Sequence, residues 1–382
     1  MYGYKAGKGS VRKAMGVRES AVEGVEGSMS FDRGFYKGKR VLVTGHTGFK
    51  GAWLCRILID AGAVVTGYAL SPPTKPALFD LADIKGKMTD VTGDIRDLEK
   101  LRFVFEAAQP EIVLHLAAQP IVRASYKDPH HTYETNVMGT VDLMECVRQS
   151  SSVRSVLNVT TDKVYQNKEW CWGYREDDPL NGFDPYSNSK SCSELVTDSY
   201  RNSFFSDGRV AISTVRAGNV IGGGDFARDR IIPDCVRAVM AKEAIGVRNP
   251  RSIRPYQHVL EPLAVYLMIA KKQYQDIRYS GCYNVGPDDR DYLTTGELVR
   301  LFCRYWGAGA EQVDRSEKDA PHEAGVLKLD NSKLKSTFGW RPRWDVEKSV
   351  EMTCRFMKLW SRDGDIPREM DMEIEEFTKG NG

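Results

Sequence analysis

Tyr186-Ser-Asn-Ser-Lys190 sets a phenol and an ammonium at positions i and i+4, which puts both on one face of a helix. A phenol titrates near pH ~10 and is a poor base at neutral pH. A neighbouring positive charge favours the phenolate and lowers that value. The tyrosine can then take a hydroxyl proton while a hydride leaves the same carbon. By itself such a pair is common and often means nothing. Here it follows Thr160-Thr-Asp-Lys-Val-Tyr165, a polar stretch at the end of an apolar, strand-like run.

A hydride needs an acceptor, and the segment Val41-Leu-Val-Thr-Gly-His-Thr-Gly-Phe-Lys-Gly51 points to one. Three apolar residues end a strand, and Gly45, Gly48 and Gly51 then open an apolar helix. Such a turn brings backbone close to a pyrophosphate and lets the helix pack tightly on its strand. The helix N-terminus offers free N–H groups and positive partial charge to the phosphates. We therefore expect a dinucleotide against Gly45, Thr47, Gly48, Phe49 and Gly51. The alternative is a glycine turn that only packs.

Ligands of such sheets lie at the carboxyl ends of strands. Asp94, with Ile95 beside it, ends one strand and is placed to accept from an adenine amine. Ala117, Ala118 and Gln119 end another, where small side chains admit a flat ring or ribose. An acid usually closes the second strand and holds the ribose hydroxyls; here Tyr68 stands near that position. A phosphate-bearing cofactor would instead need a cation, for which Lys50 and Lys75 are candidates. NAD is the expected cofactor and NADP the alternative. Lys190 can also hold the nicotinamide ribose, and an oxidised nicotinamide adds to the charge that favours the Tyr186 phenolate.

These residues need a scaffold, and the apolar pattern supplies it. Strands are expected at 40–43, 64–68, 88–92, 112–116, 156–160 and 211–215. Helices are expected between them at 51–61, 98–108, 132–149 and 186–204. Alternating apolar strands and helices give an α/β fold, a Rossmann-type doubly wound parallel sheet. After Gly222-Gly-Gly224 the pattern turns irregular, with helices expected at 231–242, 260–274, 295–306 and 346–360. The expected organisation is an N-terminal arm over 1–30, a dinucleotide-binding domain over 37–220, a smaller ligand-closing lobe over 221–360 and an acidic, poorly patterned tail over 361–382.

Composition excludes several classes. The chain has 382 residues, 54 basic and 52 acidic, for a net charge of +2. Nucleic-acid binding would need a strongly basic face. No apolar run approaches the ~18 residues of a membrane span. The eight cysteines are scattered without a C-x-x-C pair, as expected of free thiols in a reducing, cytoplasmic setting. The one close histidine pair, His130-His131, is adjacent, so its side chains diverge, and no metal site is expected.

The chain resembles the extended short-chain dehydrogenase/reductase family over roughly residues 37–350. The resemblance rests on Thr44–Gly51, Asp94, His115–Ala118, Asn136-Val-Met-Gly-Thr140, Thr161, Tyr186, Lys190, Arg216-Ala-Gly-Asn-Val220 and Tyr283-Asn-Val-Gly286. It implies a nucleotide-sugar substrate, a homodimer through paired helices, and a hydrogen bond from Thr161 to the reacting hydroxyl. Thr161-Asp162-Lys163 is similar to the sugar nucleotide 4,6-dehydratases, most of which carry Thr-Asp-Glu. The lysine is similar to the subgroup acting on CDP-glucose, as are Gly45–Gly51, Trp172–Glu176, Gly222–Asp225 and Arg254–Val259.

The implied chemistry is oxidation at carbon 4, loss of water across carbons 5 and 6, and return of the hydride to carbon 6. Tyr186 and Lys190 serve the oxidation, and Asp162 is the acid that protonates the departing 6-hydroxyl. Asp162 then needs a raised pKa, which an adjacent ammonium opposes. Lys163 is a base, an electrostatic helper or an ion-pair partner of Asp162. Asn219, Arg230, Arg248 and Arg254 are expected on the diphosphate, and His258 either lines the pocket or packs. The rivals are a nucleotide-sugar 4-epimerase, a dehydratase of dTDP- or GDP-sugars, and a non-catalytic NAD-binding scaffold.

Overall fold

The computed structural model describes residues 32–307, 309–316 and 324–379; the expected N-terminal arm lies outside them. The strands β1 (Arg40–Thr44), β2 (Val64–Ala69), β3 (Thr89–Thr92), β4 (Ile112–His115), β5 (Ser155–Val159), β6 (Ala211–Ala217) and β7 (Cys282–Val285) form one sheet. Its order is β7-β6-β5-β4-β1-β2-β3, and every neighbouring pair is parallel. The longer helices are α1 (Phe49–Asp60), α2 (Leu98–Ala108), α3 (Gly139–Gln149), α4 (Pro185–Phe204), α5 (Ile231–Met240), α6 (Leu260–Gln275), α7 (Thr295–Trp306), α8 (Val346–Trp360) and α9 (Ile366–Lys379).

The central strands β1, β4 and β5 are apolar on both faces, and their period of two deals residues to two cores. Val41, Val43, Ile112, Leu114 and Leu157 pack with Trp53, Leu54 and Leu58 of α1. Leu42, Val113 and Val156 pack with Leu101 and Phe105 of α2 and Leu143 and Val147 of α3. Strand order reverses between β1 and β4, which opens a crevice beyond their carboxyl ends. The expected doubly wound fold is present.

Three segments differ from expectation. The helix expected over 132–149 is interrupted by a π turn at Glu134–Met138. There the Asn136 amide donates to the Gln119 carbonyl (3.1 Å) and to Ser189 Oγ (2.9 Å), and its Oδ1 accepts from Gln119 N (2.8 Å). One extra residue in the turn is a common device beside functional sites; here it lets Asn136 pin the β4 loop to α4.

Beyond residue 221 the chain does not stay in a separate lobe. The four-residue β7, too short and too glycine-flanked to show a pattern, pairs with β6 from Cys282–Thr214 to Val285–Ala217. Helix α6 covers the sheet, with Ser155 Oγ donating to Ala270 O (2.9 Å) and Gln273 Nε2 to Val156 O (2.9 Å). The expected tail is instead helix α9, with Ile366, Met370, Ile374 and Phe377 buried. That spacing is a helical stripe, obscured in the sequence by acidic residues; several of these pair with basic residues of α8, as Glu369 and Glu376 do with Arg355.

Helix α4 starts on Asp184, whose Oδ1 accepts from Ser187 N (3.0 Å), with Pro185 in the first turn, a strong start signal. A buried carboxylate then fastens it. Glu194 accepts from Thr160 Oγ1, from Thr214 Oγ1 (2.6 Å) and from Arg216 Nη2 (2.9 Å). Arg216 also donates to the Tyr165 hydroxyl (2.9 Å), which donates to Asn284 Oδ1 (2.6 Å). Helix, β5 turn, β6 and β7 are thereby one unit. Removing one member of a buried pair typically costs about 3–5 kcal/mol. Glu194→Ala should lose about that much in chemical denaturation; an unchanged midpoint would show that the network carries no stability.

Candidate active site

Gly45 has φ +75° and donates its N–H to Tyr68 O (2.9 Å). A Cβ on it would lie 2.7 Å from Ala117 N, and one on Gly51 would lie 2.2 Å from Gly45 O. Glycine is therefore required at both positions. A Cβ on Gly48 would meet nothing closer than 3.4 Å, so its missing side chain leaves room for a ligand. No side chain caps the start of α1, which leaves its first amides without a side-chain partner, as an anion site requires. This cradle fits a dinucleotide diphosphate.

The crevice floor is fixed by Thr44. Its Oγ1 accepts from Leu116 N and Ala117 N (3.2 Å each) and so donates to His115 Nδ1 (2.7 Å). Burial lowers the His115 pKa to about 3; the ring is neutral and carries its proton on Nε2. Thr47 donates to Leu70 O (2.9 Å). Gln119 is turned to Thr132 Oγ1 and Ile121 N, so its side chain shapes the loop. The Asp94 carboxylate is held by the Arg96 guanidinium and amide, which keep it below the usual carboxylate range. Ile95 packs against the position where Gly139 lacks a Cβ.

Two expected site residues do not belong there. Tyr68 has no exposed surface; its hydroxyl donates to Asp94 O (2.7 Å) and its ring fills the space beside Gly93. It shapes the strand end from inside the core. His258 is also fully buried, between Trp53 and Trp344 and 3.5 Å from Glu373 of α9. Burial lowers its pKa to about 3, so of its two expected roles it has the packing one.

Thr161, Asp162, Lys163, Tyr186, Lys190, Asn219, Arg230, Arg248 and Arg254 line one cleft of about 290 Å³. Lys190 Nζ donates to Val159 O (3.1 Å), and burial lowers its pKa to about 8. Burial pushes the Tyr186 phenol up to about 12, partly offset by its hydrogen bond to Thr161. Without a bound cation the phenol is thus less acidic than in water, contrary to the expectation for lysine alone.

Asp162 is 1% exposed. Thr161 Oγ1 donates to its Oδ1 (2.9 Å), while Oδ2 is buried without a partner. Burial raises its pKa, against the pull of Lys163, Thr161 and Arg254. Burial therefore wins over the adjacent ammonium, and the structural ion pair with Lys163 is not formed. The free oxygen is placed to carry a proton.

Arg230 pairs with Asp225 (3.0 Å) and Arg248 with Asp229 (3.0 Å). Arg254 is turned to the backbone, donating to Ile253 O (3.0 Å), Gly325 O (3.4 Å) and Ala324 O. Lys50, Arg123 and Asp225 also line the cleft. Lys50 was legible as a cation on the glycine loop, but not the direction it takes. Arg123 had no sequence signal, since it sits on a six-residue helix, Val122–Lys127, with no distinctive pattern.

A switch-point crevice with a glycine cradle, a Tyr–Lys pair and a buried acid defines a short-chain dehydrogenase/reductase-type site. The family model for GDP-mannose 4,6 dehydratase matches residues 42–353, and the chain belongs to that family. It is 48% identical over 352 residues, 91% of this chain and 98% of the relative, to CDP-glucose 4,6-dehydratase of Salmonella typhimurium. It is 27% identical over 334 residues, covering 82% and 91% of the two chains, to dTDP-glucose 4,6-dehydratase of Xanthomonas campestris pv. campestris. The fold is shared with UDP-glucose-4-epimerase of Stenotrophomonas maltophila, solved with bound NAD and formylated UDP-arabinopyranose, at TM-score 0.75 and 22% identity, over 85% and 100% of the chains.

Gly51→Ala should fold yet lose dinucleotide binding, because its methyl displaces the Gly45 carbonyl that shapes the cradle. Fluorescence titration with NAD checks this; wild-type affinity would show that the loop does not hold the cofactor.

Proposed function

We propose that this chain converts CDP-glucose to CDP-4-dehydro-6-deoxy-glucose with NAD as its resident cofactor. The single observation that carries the reading is Asp162, a buried carboxyl with a raised pKa and a free Oδ2, beside the Tyr186–Lys190 pair. Similarity to the Salmonella typhimurium enzyme supports the cytidine nucleotide.

Bound NAD supplies the hydride acceptor at carbon 4 and the donor at carbon 6. Tyr186 takes the 4-hydroxyl proton, with Thr161 hydrogen-bonded to the same oxygen. The Tyr186 phenol, held protonated by burial, would become a base beside the positive charge that an oxidised nicotinamide would supply. The new ketone acidifies carbon 5, and Lys163 serves the removal of that proton, either as the base or as a fixed cation beside the developing enolate. Asp162 protonates the 6-hydroxyl as water leaves, a step suited to a carboxyl kept neutral by burial. Asn219, Arg230 and Arg248 stand along the diphosphate, with Arg254 shaping the wall.

A 4-epimerase would need no acid at carbon 6, and the burial of Asp162 would serve nothing. A scaffold would not need the intact Tyr186–Lys190 pair.

We also propose a homodimer through α3 and α4. Met138, which precedes α3, and Leu195 on α4 are 51% and 57% exposed, apolar side chains that a partner's helices would cover. No helix of the described residues is long and apolar enough to cross a membrane, and a cytoplasmic location fits the free cysteines.

Asp162→Asn should still oxidise carbon 4, seen as reduced-cofactor absorbance, and should eliminate water about 10²–10⁴-fold more slowly. Elimination at the normal rate would remove Asp162 from the role. Leu195→Glu should shift the sedimenting species from dimer to monomer; an unchanged dimer would place the interface elsewhere.

A further inference from the structure

Lys50 is the second residue of α1, two places after its N-cap Gly48. Helical side chains lean toward the N-terminus, and Lys50 accordingly lines the cleft wall with Asp162, Tyr186, Lys190, Asp225 and Arg230. It is therefore directed into this cleft, which neither Tyr68 nor Asp94 lines, and away from the end of β2, where a 2′-phosphate would need its cation. Among the described residues no hydrogen bond or ion pair holds its ammonium, whereas Lys190 is bonded to Val159 O and Arg230 to Asp225.

The charges around it do not balance. Asp225 is engaged by Arg230 and by Ala227 N (3.1 Å), and burial favours the neutral form of Asp162. Lys50, Lys190 and Arg230 thus share a cleft in which little free negative charge remains. Charges withdrawn from water are normally paired, and the half-buried Lys50 ammonium has no partner among the described residues, so the cleft favours an anion. A lysine ammonium is a common phosphate ligand, and Lys50 brings this one into the cleft from the start of α1.

We propose that Lys50 is a diphosphate anchor: its ammonium holds the diphosphate of a nucleotide in the cleft. The proposal rests on the function proposed above, under which two nucleotides bring a diphosphate, NAD and the CDP-sugar. Burial, and then Arg230 and Lys190, lower the Lys50 pKa to about 7, against the pull of Asp162 and Asp225. A bound diphosphate favours the charged amine and raises that value. Above pH ~7 binding therefore takes up a proton, and affinity falls as pH rises toward ~9. Lys163 from the β5 turn and Lys190 and Tyr186 from α4 face the same space, so the comparison must be between proteins that differ at Lys50 alone.

The experiment is calorimetric titration of cofactor-stripped full-length protein with NAD and, separately, with CDP, at pH 7 and 9 in buffers of different ionisation enthalpy. Lys50→Met should bind one of the two nucleotides roughly tenfold to a hundredfold more weakly at pH 7 and lose the proton uptake, while Lys50→Arg keeps most of the affinity. Loss confined to NAD assigns the anchor to the cofactor, and loss confined to CDP assigns it to the substrate. Lys50→Gln replaces the methionine variant if that one unfolds. Unchanged affinity for both nucleotides with unchanged proton uptake overturns the proposal. A wild-type protein that binds neither nucleotide overturns the proposed function instead.

Discussion

One buried carboxylate holds the catalytic parts in register. Glu194 has almost no exposed surface and gathers three donors, from Thr160 at the end of β5 and from Thr214 and Arg216 on β6. A buried ion pair is a poor source of net stability, because desolvation offsets its attraction. Its consequence is geometric. Glu194 lies one turn beyond Lys190 on α4, and Thr160 immediately precedes the Thr161–Lys163 turn. The Tyr186–Lys190 pair on the helix and Asp162 at the strand end are thus set by one side chain, with Arg216 extending the link to Tyr165 and Asn284.

Within that frame, burial does the electrostatic work. It raises Asp162 and Tyr186 and lowers Lys190 and Lys50, which moves all four toward their neutral forms. A carboxyl held protonated is a ready acid for a leaving hydroxyl. Under the proposed function, a phenol held protonated would become a base beside an oxidised nicotinamide, which would couple proton removal at carbon 4 to the cofactor's redox state. The cleft is in this sense set for charged occupants, with groups fixed before the reaction begins.

Much of this was legible in the sequence. The glycine loop, Tyr186–Lys190 and Thr161–Lys163 are local patterns whose spacing carries their geometry, and apolar strands of five to seven residues announce themselves. What was not legible depends on packing between distant segments. Tyr68 occupies the place of a ribose-binding acid, but only the close approach of Gly93 turns it inward. His258 lies next to pocket residues in sequence, yet the short Gln257–His258 strand alternates and sends it toward α9. Helix α9 itself was hidden because its acidic residues look solvated until α8 supplies their partners. The balance at Asp162, burial against an adjacent lysine, could be posed from sequence and decided only by its exposure.

The most direct test of the account is to incubate the purified protein with CDP-glucose in deuterated water and locate the hydrogens of the product by mass spectrometry and NMR. The account predicts a 4-keto-6-deoxy product that has lost one water, carries one solvent deuterium at carbon 5 and has received at carbon 6 the hydrogen that began on carbon 4. A product of unchanged mass with inverted carbon 4 and no deuterium would contradict it, and would make the chain an epimerase built on the same cleft.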